Sequence, residues 1–409
     1  MKETVLIQQK NKLEFLFGFL KKDLVFTLSL VLAVLSCGIQ PPKLEYINFH
    51  VLICLFNLML AIKAFEELKV LDKLAISLLN KCKNRKSVSS LLILLCFFSS
   101  MIVTNDVALL TFVPLTLVIS KKTNLPMMET VILQTIAANI GSSLTPMGNP
   151  QNLFLYSYFG IKPLSFFTTV AFTAILGFSS LYFLIRRQNG SKLNVDLEPV
   201  MVVNGKKTAV WGMVLALIIA SIFGLLNDKI ALIVTLLIAL LLNKELLLKV
   251  DFLLLLTFIC FFIFIGNLSS AEAVQTFASM SLKSPASIYF SSIFFSQIIS
   301  NVPASILLSH FTNDWKPLLL GVNIGGLGTL IASLASVISY KLYIQANPSE
   351  GKPYLTKFTI ETGFANSGIS SIVFCNSSIL RIVDAFITPF LCLLSIMISS
   401  GITPLNSFS

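Results

Sequence analysis

Ser100-Met-Ile-Val-Thr-Asn-Asp106 interrupts one apolar run, and about thirty residues later Ala138-Asn-Ile-Gly-Ser-Ser-Leu-Thr-Pro-Met-Gly-Asn-Pro-Gln-Asn152 interrupts the next. The second half of the chain repeats the order, with Ser296-Gln-Ile-Ile-Ser-Asn-Val302-Pro303 followed by Val322-Asn-Ile-Gly-Gly-Leu-Gly-Thr-Leu330. Asn105 matches Asn301, and Asn139-Ile-Gly141 matches Asn323-Ile-Gly325. A polar, Gly-rich break at corresponding places in two hydrophobic halves is the sequence signature of a transport site built from broken membrane helices.

The rest of the chain agrees with a membrane solvent. Of 409 residues, 55% are hydrophobic and 12% charged, and the mean hydropathy is +0.86. Soluble domains do not have this composition, and apolar runs long enough to span a bilayer recur from end to end. The expected fold class is therefore an all-α polytopic protein of the inner membrane, with no separate soluble domain. The net charge of +11 belongs to loops: Lys69, Lys73, Lys81, Lys83, Arg85 and Lys86 form one basic stretch, and Arg186, Arg187, Lys192, Lys206 and Lys207 another. Lys and Arg collect on the cytoplasmic side, which places those loops and the N-terminus there. No basic stretch is interleaved with aromatics, so nucleic acid is not an expected partner. Seven scattered cysteines without a Cys-x-x-Cys pair read as buried small hydrophobes, neither zinc ligands nor a disulfide frame.

A first span is expected over 23–40. Val34-Leu-Ser-Cys37 has the look of a lipoprotein cleavage site, but the segment is read as a retained transmembrane helix. A second span covers 46–64, and Leu68, Leu71, Leu74, Ala75, Leu78 and Leu79 recur at the spacing of an interfacial amphipathic helix. The run over 88–120 has basic residues at both ends and arms of about fifteen apolar residues, short of the roughly twenty a crossing needs. It reads as a re-entrant hairpin with its tip at Thr104-Asn-Asp106. A helix over 126–160 cannot be continuous through Gly141, Pro146, Gly148 and Pro150. Spans over 208–226, 230–247 and 252–268 lead to a second hairpin at 287–311 and a second broken helix at 318–343. Two further spans, a weak one over 358–379 and a better one over 381–400, close the chain. The domain reading is a first repeat over 1–207 and a second, inverted repeat over 208–409, the hairpins entering from opposite sides.

Backbone groups at a hairpin tip or helix break are tolerated at membrane depth only where protein or a water-filled cavity satisfies them. Carbonyls freed there can hold a hard cation, and half-helix N-termini present N–H groups to an anion. Thr104 and Asn105, before a helix expected from Val107, and Ser300 and Asn301, before Pro303, stand where N-caps belong; the alternative to a binding role is that they only cap. Asp106 is the one acidic residue placed near mid-bilayer. An ionised carboxylate there costs about 2.5–3.5 kcal/mol, so Asp106 is expected to carry a proton or a bound cation.

Ser100-x-x-x-Thr-Asn-Asp106, Asn139-Ile-Gly141 with Gly148-Asn-Pro-Gln-Asn152, and Ser296-x-x-x-Ser-Asn-Val302 resemble the ion transporter superfamily. Its members include divalent anion:sodium symporters, citrate transporters, arsenite permeases and one class of sodium/proton antiporters. The resemblance covers nearly the whole chain and is weakest after Lys352. It implies inverted repeats with paired hairpins, and two sodium sites: Ser100, Thr104, Asn105 and a carbonyl near Gly141 for one, Ser296, Ser300, Asn301 and a carbonyl near Gly325 for the other. Asn149, Pro150 and Asn152 are similar to a Thr-Pro-Pro-Asn stretch in the symporters' first broken helix; the counterpart over 329–336 lacks the Pro-Asn pair. In the symporters each tip reads Ser-Asn-Thr, and here Asp106 and Val302 replace the threonines. An Asn-Asp tip is closer to the permease and antiporter branches. The resemblance also implies a homodimer.

The function expected from all this is secondary transport of a small anion, a di- or tricarboxylate among the candidates, coupled to Na⁺ or H⁺. Arsenite efflux and Na⁺/H⁺ exchange are the alternatives within the superfamily, and a channel is the distant one. No cofactor is expected beyond the coupling ion, and no enzyme, since the sequence has neither a metal-ligand cluster nor Gly-x-Ser-x-Gly.

Overall fold

The computed structural model describes residues 24–38, 40–188, 190 and 197–375. The described residues form helices and loops without a strand. In chain order the helices are α1 (Leu24–Ser36), α2 (Phe49–Glu67), α3 (Val70–Leu79), α4 (Arg85–Val103), α5 (Asn105–Thr123), α6 (Met128–Ser142), α7 (Pro150–Tyr158), α8 (Pro163–Arg186) and α9 (Gly205–Ile222). They continue as α10 (Asp228–Leu242), α11 (Leu246–Lys249), α12 (Phe252–Ser269), α13 (Glu272–Ser281), α14 (Pro285–Ile299), α15 (Asn301–Ser309), α16 (Trp315–Gly325), α17 (Leu334–Ala346) and α18 (Gly351–Cys375).

Five of these, α2, α4, α8, α9 and α12, are long and apolar enough to cross a membrane. The apolar surface fits that solvent: Ile175 of α8, Met213 of α9 and Ile233, Leu237 and Leu241 of α10 are each more than half exposed, an arrangement stable against hydrocarbon and costly against water. The chain is a polytopic all-helical membrane protein.

At the centre lies α6, buried on every side from Thr130 to Ser142. A helix can be enclosed this way only if its polar side chains find partners. Here Gln134 donates to the Phe112 carbonyl and accepts from the Thr116 hydroxyl, and Thr135 donates to the Ser339 hydroxyl at 2.6 Å.

α4 and α5 form the first hairpin. The Arg85 guanidinium donates to the Pro126 carbonyl near the start of α6, and at the far end the Thr145 hydroxyl donates to the Met101 carbonyl. α4 and α6 thus run side by side in the same direction, and α5 returns to where α6 begins. The hairpin turns at Thr104, level with the break between α6 and α7; α7 continues beyond it. α14 and α15 form the second hairpin, α14 lying along α16, with its tip at Ser300 level with the break between α16 and α17. The two units interlock: α17 packs against α5, and α15 against α7.

Several expectations need adjustment. The arms of the first hairpin have 19 residues each, not about fifteen. Asn84 caps α4 by accepting from the Ser87 N–H, so the helix starts in the polar base, and α5 likewise runs on through Lys121 and Lys122. The returning arm begins at Asn105 and not at Val107. A short helix, α13, fills the loop between the third span of that half and the second hairpin. The expected weak span over 358–379 lies in α18 as far as Cys375, while 376–379 and the span over 381–400 lie outside the described residues.

Candidate functional site

The two hairpin tips share one backbone conformation. Thr104 has φ 73° and ψ 154°, and Ser300 has φ 74° and ψ 156°. That region is essentially restricted to glycine and costs an L-residue about 1–3 kcal/mol. It is held here twice, at matched positions, by the hairpin packing around it. Neither residue caps the following helix with its side chain, which removes the purely capping reading of both. The Ser300 hydroxyl instead approaches the Ala332 carbonyl in the second break at 3.3 Å. At the first tip the Asn105 N–H donates to the Gly148 carbonyl in the first break at 3.1 Å.

A chain of amides joins tips and breaks. Asn105 Nδ2 donates to Asn139 Oδ1 at 2.9 Å; the same oxygen accepts from the Ser333 hydroxyl at 3.1 Å, and Asn139 Nδ2 reaches Ser336 Oγ at 3.3 Å. From the other half, Asn323 Nδ2 donates to Asn152 Oδ1 at 2.7 Å, and Asn323 Oδ1 accepts from Asn149 Nδ2 at 3.2 Å. Asn139, Asn149 and Asn152 stand at the same intervals as Asn323, Ser333 and Ser336. Each matched asparagine therefore reaches across to the two matched positions of the opposite break.

Asn149, Pro150 and Asn152 also build the start of α7. Asn149 Oδ1 accepts from the Asn152 N–H at 2.8 Å with Pro150 in the first turn, while Asn152 Nδ2 donates to the carbonyls of Ser142, Ser143 and Thr145. The half-helix α7 so directs its positive end into the break.

Ser100 and Ser296 are buried and donate to carbonyls of their own helices, Phe97 and Ser292. Each faces a glycine of the neighbouring broken helix: a Cβ on Gly141 would lie 2.5 Å from Ser100 Oγ, and one on Gly325 would lie 2.7 Å from Ser296 Cβ. Asn301 is buried beside Gly326, with Ser300 at 3.5 Å. Asp106 stands apart: it is half-buried and about 100° around α5 from Asn105, on the flank of the face formed by Asn105, Ala108, Leu109 and Phe112, which are buried.

Four participants escaped the sequence reading. Ser333 and Ser336 could have been found by transferring the Asn139–Asn149–Asn152 spacing to the second half. Gln297 donates to the Gly325 carbonyl at 2.6 Å and accepts from the Thr329 N–H at 2.7 Å, with no counterpart in the first hairpin, where Met101 stands. Thr329 Oγ1 is shut off from solvent without a hydrogen-bond partner among the described residues, although Thr145, at the matching position, is paired. Among the described residues no Lys, Arg or His takes part in this network. His50 is instead bonded to Asp228 at 2.9 Å between α2 and α10, and His310 to the Ile306 carbonyl. Among the described residues there is no His/Cys/Asp/Glu cluster able to hold a metal.

Many apolar helices, with paired polar breaks meeting at their centre, define a multi-pass membrane transporter. The chain belongs to the citrate transporter family, whose model matches residues 11–325. It is 38% identical over 324 residues to an uncharacterized transporter of Methanocaldococcus jannaschii, covering 76% of this chain and 88% of that one. With the inner membrane protein YbiR of Escherichia coli the identity is 30% over 298 residues, 72% of this chain and 80% of the relative. A transporter named arsB from Dictyostelium discoideum is 33% identical over 143 residues, 34% of this chain and 25% of its own length. The fold and family agree with the superfamily resemblance.

Proposed function

We propose that the protein is a secondary active transporter that carries a small anion across the cytoplasmic membrane, coupled to Na⁺ or H⁺. The observation that carries the reading is the duplicated tip: two strained, matched backbone turns at Thr104 and Ser300, each set on a helix break. A turn that costs free energy twice over is retained where function uses it. Carbonyls at the breaks, the hydroxyls of Ser100 and Ser296 and the unpaired Thr329 hydroxyl supply oxygen for a cation, and the start of α7 supplies N–H groups for an anion. In this reading the repeats 1–207 and 208–409 are inverted, the hairpins are re-entrant from opposite sides, the N-terminus is cytoplasmic, and the protein is a homodimer.

The test is uptake by proteoliposomes under separate Na⁺ and H⁺ gradients against citrate, dicarboxylates and arsenite. Wild-type protein should accumulate solute only with one of the two gradients. Asn105→Ala and Asn301→Ala should each abolish that accumulation while remaining inserted and monodisperse, since leaving a buried polar partner unmet costs about 1–3 kcal/mol. Wild-type uptake by either variant would leave the tips structural. For orientation, cysteines replacing Lys83, Lys121 and Arg187 should react with impermeant reagents from the cytoplasm and one replacing Lys283 from outside. Lys83 and Lys121 on opposite faces would rule out the re-entrant first hairpin.

A second reading rests on the groups that the network brings together, which among the described residues are amides and hydroxyls. Amides and hydroxyls without a fixed positive charge suit an uncharged polyhydroxyl solute such as arsenous acid better than a tricarboxylate, whose charges would have to be met by co-bound cations. Arsenite transport without citrate transport in the same assay would favour it.

A further inference from the structure

One face of α5 is not used by the network. Asp106, Leu110 and Pro114 recur every four residues along it, and at spacing i, i+4, i+8 they share one side of the helix. Leu110, Thr111 and Pro114 line a cleft of about 370 Å³ whose other wall is Lys63, Phe65 and Glu66 of α2 with Leu71 and Asp72 of α3. This cleft lies where α2 ends, beside the basic stretch from Lys69 to Lys86. Its lining is not what hydrocarbon would select: Lys63 and Glu66 form an ion pair at 2.6 Å, and Asp72 is a third charge. Pro114 adds a backbone oxygen. Having no N–H, it cannot donate to the Leu110 carbonyl; Leu110 lines the cleft and stands a single turn, about 6 Å, along α5 from Asp106, which lies beyond the lining.

We infer that this cleft is the aqueous path by which a small cation, H⁺ or Na⁺, passes between the basic end of the molecule and Asp106. The Glu66 and Asp72 carboxylates attract the cation at the mouth and Lys63 holds Glu66 in place. The freed Leu110 carbonyl replaces a water ligand on the way, and Asp106 receives the charge. The inference rests on the proposed coupling role of Asp106, and the test separates the two.

In a cysteine-free background, Leu110→Cys should react with a membrane-impermeant thiol reagent from the side that labels Lys83→Cys. Leu237→Cys, on the apolar face of α10, should stay unreactive. The adduct at position 110 should block cation-driven uptake. Glu66→Gln should raise the cation concentration needed for half-maximal uptake roughly tenfold, as expected from losing a focusing charge, with maximal uptake preserved. Asp106→Asn, which keeps an oxygen and removes the titratable charge, should abolish the Na⁺ or pH dependence. If Leu110→Cys reacts no faster than Leu237→Cys while Asp106→Asn is uncoupled, the coupling role stands and the cleft as its path is overturned. If Asp106→Asn keeps wild-type coupling, the coupling role falls, and the path with it.

Discussion

Asn323→Ala is expected to abolish transport without unfolding the protein. Asn323 is the side chain by which the second broken helix holds the first: one amide receives Asn149 and donates to Asn152, and Nδ2 also reaches the Leu319 carbonyl at 2.9 Å. Truncation leaves Asn152 Oδ1 without its donor in a site shut off from water. Such an orphaned group costs about 1–3 kcal/mol, which a bundle of this size absorbs. The break geometry should not survive equally well. Asn149 Oδ1 and Asn152 Nδ2 set the first turn of α7, and both side chains are positioned from the far side by Asn323. Once the partner is gone, the positive end of α7 loses its fixed direction, and with it any site that needs preorganised N–H groups. Uptake should fall at least about tenfold, the equivalent of roughly 1.4 kcal/mol, with gel-filtration behaviour unchanged. Asn139→Ala, the matched change, should have the same phenotype through Ser333 and Ser336. Uptake near wild type in both variants would mean that the cross-links are not part of the transport site.

How far the sequence could lead is visible at these same residues. The order of breaks and the match of Asn105 with Asn301 and of Asn139 with Asn323 were legible because a polar, Gly-rich interruption stands out in an apolar run. The sharing of Asn139 and Asn323 between halves was not. The second half carries Ser333 and Ser336 where the first has Asn149 and Asn152, and two serines in a serine-rich segment give no signal without the spacing. Apolar length underestimates helix length at the hairpin base, because Asn84 and the Lys121–Thr123 turn extend the helices into polar surroundings. Adjacency in the sequence pairs Asp106 with Asn105, but adjacent residues on a helix point about 100° apart, and Asp106 turns toward the side of α5 that carries Leu110. The strain at Thr104 and Ser300 had no sequence signal, since neither is glycine.

Gly141→Ala is expected to be strongly destabilising. A Cβ there would lie 2.1 Å from the Phe97 carbonyl oxygen, 2.9 Å from the Phe97 carbonyl carbon and 2.5 Å from Ser100 Oγ. The first two are backbone atoms inside α4, so no rotamer change can relieve them; α4 and α6 must move apart. Overpacking of this kind costs about 1–3 kcal/mol or more. The gain of about 1 kcal/mol in helix propensity from Gly to Ala offsets only part of it. Separation of α4 from α6 would also withdraw the tip from the break, since the Asn105 N–H bond to Gly148 and the Thr145 bond to Met101 both span that seam. Gly325→Ala should be milder, because its contacts are less close than those at Gly141: Ser296 Cβ at 2.7 Å, Ser296 Oγ at 2.9 Å and Ile293 Cα at 3.1 Å, of which the Oγ alone can rotate away. Gly212→Ala, on α9 with nothing within 4 Å of the new carbon, should be neutral or stabilising. Thermal unfolding of the three purified variants in detergent should therefore rank Gly212→Ala above Gly325→Ala above Gly141→Ala, with transport lost first in the last. A Gly141→Ala protein that melts with Gly212→Ala would show that the hairpin does not seat against the break this closely, and the shared tip geometry could then no longer be tied to the site.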